Sequence, residues 1–278
     1  MDFSIVTPSY RNSAWLKLCV ASIADQQGVT HEHIVQDAGS DDGTLDWLPG
    51  DPRVRAFVEK DNGMYDAVNR GLRRAQGELM AYLNSDEQYL PGALAAVKEF
   101  FDGHPNVEMV FADMVVVDGN GEFLAYRKSV LPFSQHVRTC QLATPTCATF
   151  FRRSLLDQRG LFFDTRWRAV GDAVRMLDVL RQNVRMAVLR RYAAAFTDTG
   201  QNLSFTPDGL REKQRLAATA PPWTRALKPV WAACHRTRKW QQGCYQQAPF
   251  EYEIYTLNCL DRRTTFKVSR PTWRLRSA

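Results

Sequence analysis

Apolar and polar positions alternate regularly through the first hundred residues. Residues 3–7 (FSIVT) form a short apolar run with β-branched side chains, which predicts a strand. Beyond it Leu16, Cys19, Val20 and Ile23 recur at helical spacing, predicting a helix from about Ser13 with Asn12 as its cap. Further strands are predicted at 33–36, 54–58 and 79–83. Tyr65, Val68, Leu72 and Ala75 mark one face of a helix that Gly77 ends, and another helix is predicted over 91–102. With a short helix near Leu45 between the second and third strands, the order β-α-β-α-β-α-β-α predicts a mainly parallel sheet covered by helices on both sides.

Ligands of such sheets bind outside the carboxyl ends of the strands. Polar clusters follow all four predicted strands: TPSY (7–10), DAGSDDGT (37–44), EKDNG (59–63) and NSDEQ (84–88). One such cluster is an ordinary turn, but four on one edge point to a site. Past residue 105 the pattern changes. VEMVFADMVVVDGNGEFLAYRK reads as a strand, a turn and a returning strand. TPTCATFFRRSLLDQRGLF reads as a strand and a helix, and GDAVRMLDVLRQN as an amphipathic helix through Val174, Leu177 and Leu180.

From about residue 200 the chain turns basic. Residues 201–278 hold 14 Lys and Arg against 5 Asp and Glu, +9, so the other 200 residues stand at −3 within a total of +6. A basic tail on a mildly acidic body favours an anionic partner: acidic lipid headgroups, a phosphorylated acceptor or nucleic acid. A solvated helix surface accounts for the charge equally well. No nucleic-acid module is recognisable, and no nucleic-acid partner is expected. Tryptophans at 223, 231, 240 and 273 suit either a membrane interface or a small helical core, and the core is the expectation. The predicted division is 1–200 for the main domain, as halves 1–104 and 105–200, and 201–278 for a basic helical extension. No apolar stretch approaches the ~20 residues of a spanning helix, and the start of the chain lacks a signal-peptide pattern. The expected location is cytoplasmic, with room for association with the cytoplasmic face of a membrane. Six scattered cysteines form no CxxC pair, and the five histidines form no HxxxH pair, so neither a zinc ribbon nor a redox motif is indicated. The first strand leads into TPSYRN and not a glycine-rich turn, which disfavours a dinucleotide-dependent oxidoreductase.

IVTPSYRNSAWLKLCVASIADQ, DAGSDDGT, DNGMYDAVNRGLRRAQGE, LNSDEQYLPGAL and ATFFRRSLL with GLF occur in this order. Together they resemble the family 2 glycosyltransferases of GT-A fold, over roughly residues 3–200. The resemblance implies an α/β, Rossmann-like fold, and an inverting enzyme that uses Mg²⁺ or Mn²⁺. Such an enzyme moves a sugar from a nucleoside-diphosphate donor to a glycan or lipid-linked hydroxyl, as in polysaccharide biosynthesis of the cell envelope.

The same resemblance implies roles for residues. Thr7, Pro8, Ser9 and Tyr10, with Asp37 and Asp42, stand where the family binds the nucleotide, Asp37 toward the base. Asp37 and Asp42 are also the residues that would build and cap the turn. Asp66 and Asn69, three apart on one helical face, would contact the donor. Asp61 is inseparable from a helix cap. Asn84-Ser85-Asp86 stands in register with the family's DxD triplet, with Asp86 the metal ligand and Asn84 an uncharged contact; Glu87 has no assigned role. Asp172 would be the general base, although Ala173, Val174 and Arg175 replace the acid and aromatic expected beside it, and Asp172 also suits a helix cap. Arg152 and Arg153 stand where a donor or acceptor phosphate could be met, but solvated charges are the expectation. The asparagine at 84 and the thinned surroundings of Asp172 motivate an alternative, a sugar-nucleotide-binding protein without turnover.

Overall fold

The computed structural model describes residues 1–200 and 206–275. Its first half keeps the predicted order, β1 (Phe3–Ser9), α1 (Ser13–Ala24), β2 (His31–Asp37), β3 (Arg55–Val58), α2 (Met64–Arg74), β4 (Leu79–Tyr82) and α3 (Ala93–Gly103), except that two short 3₁₀ turns, Thr44–Asp46 and Leu48–Gly50, stand where a helix is expected between β2 and β3. The four strands lie parallel in the order β3-β2-β1-β4. Their side chains alternate between two cores, as a sheet buried on both faces requires. Phe3, Ile5, Leu79 and Ala81 pack on one face with Cys19 and Ile23 of α1 and Leu94 and Val97 of α3. Val6, Met80 and Tyr82 face the other, with Val68 and Leu72 of α2.

The second half continues the sheet with mixed directions. It contains β5 (Glu87–Tyr89), β6 (Met109–Val117), β7 (Phe123–Arg127), α4 (Ser134–Thr139), β8 (Thr149–Arg152), α5 (Ser154–Asp157), α6 (Gly171–Arg181) and β9 (Met186–Thr197). The sheet runs on from β4 as β8-β6-β9-β5, with β7 paired to β6. Strand β8 is antiparallel to both neighbours, β6 and β9 are parallel, and β5 pairs antiparallel with β9. The hairpin expected around DGNGE is β6–β7.

The basic extension differs from the helical expectation. Helices α7 (Pro207–Ala218), α8 (Pro222–Ala226) and α9 (Lys228–Gln241) are followed by a hairpin, β10 (Phe250–Thr256) and β11 (Cys259–Val268). Its Tyr252, Ile254 and Val268 bury against Leu90, Val115 and Val117 of the main sheet. The helical-core expectation fails for Trp223 and Trp240, which are 56% and 71% exposed. The predicted boundary at 201 falls outside the described residues.

Candidate active site

The carboxyl ends of β1, β2, β3 and β4 open on a cavity of about 980 Å³. Pro8, Ser9 and Tyr10 line it after β1, Ala38 after β2, Lys60 and Asp61 after β3, and Asn84 to Glu87 after β4. Asp172 of α6 and Thr197, Asp198 and Thr199 at the end of β9 complete its acidic side. Residues of α4 and the loop after it, with Lys213 and Leu216 of α7 and Lys228 of α9, line it as well.

Three carboxylates define its electrostatics. Burial raises the pKa of Asp86. Glu87, only 1% exposed, is raised to about 8, first by burial and then by the charge of Asp86, with a smaller push from Asp172. Its Oε2 accepts the Asn84 amide at 2.8 Å, while its Oε1 and the Asn84 Oδ1 are buried with no hydrogen-bond partner among the described residues. Burial also raises Asp172. Opposing that shift, the Tyr65 hydroxyl of α2 donates to its Oδ1, the Ala173 amide donates to it, and the Arg175 charge lies near. Gly171 makes room for this pair: a Cβ there would meet the Tyr65 ring at 2.5 Å. Arg175 is itself buried. Its Nε donates to the Leu161 carbonyl, and its guanidinium lies 4.2 Å from the Phe151 ring centroid and 4.7 Å from that of Phe163. Desolvation lowers it to about 10. A cation held in that place would favour the ionised form of Asp172.

The expected site residues divide into two groups. Pro8, Ser9, Tyr10, Asn84, Ser85, Asp86 and Asp172 line the cavity. Ser9 presents a buried hydroxyl without a partner among the described residues. Ser85 accepts the Asn12 amide at 2.7 Å, so Asn12 braces the β4 loop and does not cap α1 with its side chain. Asp172 sits inside the first turn of α6, whose cap position is Val170, so the helix-cap reading does not hold. Asp61 accepts the Gly63 amide and lines the cavity as well.

Thr7, Asp37, Asp42, Asp66 and Asn69 lie outside the lining of the cavity, each with polar atoms bonded within the scaffold. Thr7 is bonded to His33 Nε2 beneath the sheet edge. Fully buried Asp37 accepts the Gly39 and Ser40 amides and the Ser40 hydroxyl, closing its own loop. Asp42 accepts the Ser13 amide at the start of α1, and Thr44 through both amide and hydroxyl. Asp66 pairs with Arg70 one turn on and accepts the Asn62 amide. Buried Asn69 holds both backbone polar groups of Phe163, at 2.8 and 2.9 Å. Arg152 and Arg153 bond to carbonyls of the main fold away from the cavity.

Tyr65 had been visible only as a core position, and nothing local in the sequence reports its bond to a residue 107 positions away. Glu87 gains its place from β5, too short to register as a periodic run.

Residues 4–159 match the profile described as Glycosyl transferase family 2. A PGL/p-HBAD biosynthesis glycosyltransferase of Mycobacterium bovis is 31% identical over 177 residues, 61% of this chain and 66% of that protein. The match therefore spans just under two thirds of that relative. Among solved structures, S. aureus TarS 1-349 in complex with UDP aligns with a TM-score of 0.59 at 21% identity, over 87% of this chain and 72% of that one. The mannosyltransferase PcManGT from Pyrobaculum calidifontis, in complex with GDP-Man and Mn²⁺, aligns with a TM-score of 0.53 at 17% identity, over 84% and 75%. These likenesses establish a shared GT-A-type architecture, and the profile match over more than half of the sequence establishes the family: this chain belongs to glycosyl transferase family 2.

Proposed function

We propose that the chain is a metal-dependent inverting glycosyltransferase, moving a sugar from a nucleoside-diphosphate sugar to a hydroxyl of a glycan or lipid-linked acceptor. The observation that carries this reading is the convergence of Asp86, Glu87 and Asp172 on one cavity at the carboxyl edge of a parallel sheet. The similarity to a biosynthetic glycosyltransferase supports it, and cell-envelope polysaccharide biosynthesis on the cytoplasmic side is the setting it expects.

The donor set fits a divalent cation. Glu87 is buried and Asp86 partly so; burial raises both pKa values, the Asp86 charge raises that of Glu87 further, and Glu87 Oε1 has no partner among the described residues. Hard oxygen ligands of this kind suit Mg²⁺ or Mn²⁺. Among the described residues no three His, Cys, Asp or Glu side chains stand together as a complete site. Asp86, with Glu87 behind it, would hold an ion whose other positions remain for phosphate oxygens. When bound, that ion supplies neutralisation of the charge gathering on the departing nucleoside diphosphate.

The remaining chemistry belongs to the chain itself. The acceptor oxygen bonds to the anomeric carbon as the bond to the diphosphate oxygen breaks, and the hydroxyl proton passes to a carboxylate oxygen of Asp172. Tyr65 and the Ala173 amide fix the direction of that carboxylate. The Ser9 hydroxyl and Asn84 Oδ1, both without partners among the described residues, are ready to meet donor hydroxyls. The direct test is a thermal-shift screen of sugar nucleotides with and without Mn²⁺. Binding to the folded state raises the melting temperature. A hit that needs Mn²⁺ and is lost in Asp86→Ala supports the reading. Indifference of every donor to Mn²⁺ contradicts it.

A further inference from the structure

Helices α8 and α9 carry an apolar face that no described residue covers. Trp223, Leu227 and Val230 are 56%, 41% and 45% exposed, and Ala233 and Cys234 continue the row in solvent. Their spacing of four, three and then three or four residues puts them on one side of the helical run. The run is nearly continuous, since Leu227 N–H donates to Trp223 O and Trp231 N–H to Leu227 O. Trp231 lies edge-on to Trp223 and donates its indole N–H to the Thr224 carbonyl, fixing the outer ring from behind.

Along α8 and α9 the charge has one sign. From Lys213 to Phe250 the sequence holds no Asp or Glu at all. Arg225, Lys228 and Arg236 are exposed and enter no ion pair among the described residues. The occupant must therefore take apolar side chains at its centre and supply negative charge around them. A nucleic acid offers the charge but no place for Leu227 and Val230. A second copy of this chain would set two acid-free faces against each other. A bilayer surface containing anionic phospholipid satisfies both demands, as it does for interfacial amphipathic helices with Trp and Leu on one side and Arg and Lys beside them. No described helix is long and apolar enough to cross the membrane, so the contact is peripheral.

We infer that α8 and α9 seat this protein on an anionic membrane surface, with Trp223, Leu227 and Val230 entering the headgroup layer. Helix α9 also borders the active-site cavity through Lys228, beside Lys213 and Leu216 of α7. Docking by this face brings the cavity wall to the membrane. Resting on the function proposed above, that position implies an acceptor presented from the lipid surface.

The test is co-sedimentation of the full chain with phosphatidylcholine vesicles, with and without phosphatidylglycerol, for wild type, Leu227→Glu/Val230→Glu and Arg225→Gln/Arg236→Gln. Circular dichroism verifies folding, and donor hydrolysis without vesicles is measured in parallel. Expected are binding that requires phosphatidylglycerol and falls at least tenfold in each double variant, with vesicle-free hydrolysis unchanged. Absence of binding by wild type, or equal binding by the folded variants, overturns the inference. So does a concentration-dependent dimer that the Leu227→Glu/Val230→Glu variant abolishes, since the face would then be filled by a second copy. Loss of hydrolysis in wild type with vesicle binding intact would instead count against the transferase reading alone.

Discussion

Asp172 and Tyr65 show how the site is built one side chain at a time. Tyr65 hydrogen-bonds the carboxylate, and Gly171 allows the ring to lie close enough to do so. Asp172→Asn should lower sugar transfer by about 10²–10⁴-fold with donor binding retained, the range for loss of a positioned base. Gly171→Ala should lower turnover roughly tenfold or more by moving the Tyr65 ring, since small misplacements in a site cost heavily. Steady-state kinetics check both, and a Gly171→Ala enzyme with unaltered turnover would remove Tyr65 from the account. Asn69 predicts the opposite pattern. Asn69→Ala leaves the backbone of Phe163 without two buried partners and should cost about 2 kcal/mol in urea unfolding, with KM for donor unchanged at permissive temperature. The types of these residues were legible in the sequence, but their uses were not. Asp37, Asp42 and Asn69 read as polar candidates in the sequence, and the amides they accept, or the backbone they clamp, are visible only in space.

Strand β5 carries the titration behaviour of the site. It turns Glu87 inward beside Asp86, and the folded pKa of Glu87 is about 8 against an ordinary 4.5. Between those values the metal-free folded state holds a proton that the unfolded state has released. The stability of the chelated protein should therefore fall as pH rises from about 4.5 to about 8. Glu87→Gln should flatten that slope, and Mn²⁺ should raise the melting temperature of wild type at the upper end. Melting curves in chelator across this range check the sign, and stability rising with pH in wild type relative to Glu87→Gln would contradict it. Elements with clear periodicity, such as β1, α2 and α6, could be read from the sequence, because burial on one or both faces writes itself into local pattern. Strand β5 has three residues and is defined by pairing with β9, more than a hundred positions away. The hairpin β10–β11 was hidden by the basic composition around it. It is held by reciprocal bonds between Gln88 and Tyr255, and by Arg263 on Asp25 at 2.6 Å. Arg263→Ala should destabilise the protein by about 2 kcal/mol, read in urea unfolding, without altering donor affinity.

The whole molecule joins a parallel half to a second half and an extension that close the cavity. The four polar strand ends made the location of the site legible before any coordinates. The parallel sheet gathers them on one edge, even though Ala38 and Ser9, and not Asp37 and Asp42, turn out to line it. The central claim is that this acidic cavity breaks the bond between sugar and nucleoside diphosphate. It is tested most directly by measuring nucleoside diphosphate released from the donor identified by thermal shift, in Mn²⁺, by wild type, Asp86→Ala and Asp172→Asn. Release by wild type, with loss of at least a hundredfold in each variant and folding intact, is the predicted result. Equal release by all three proteins, or none by a wild type that binds the donor, would contradict it.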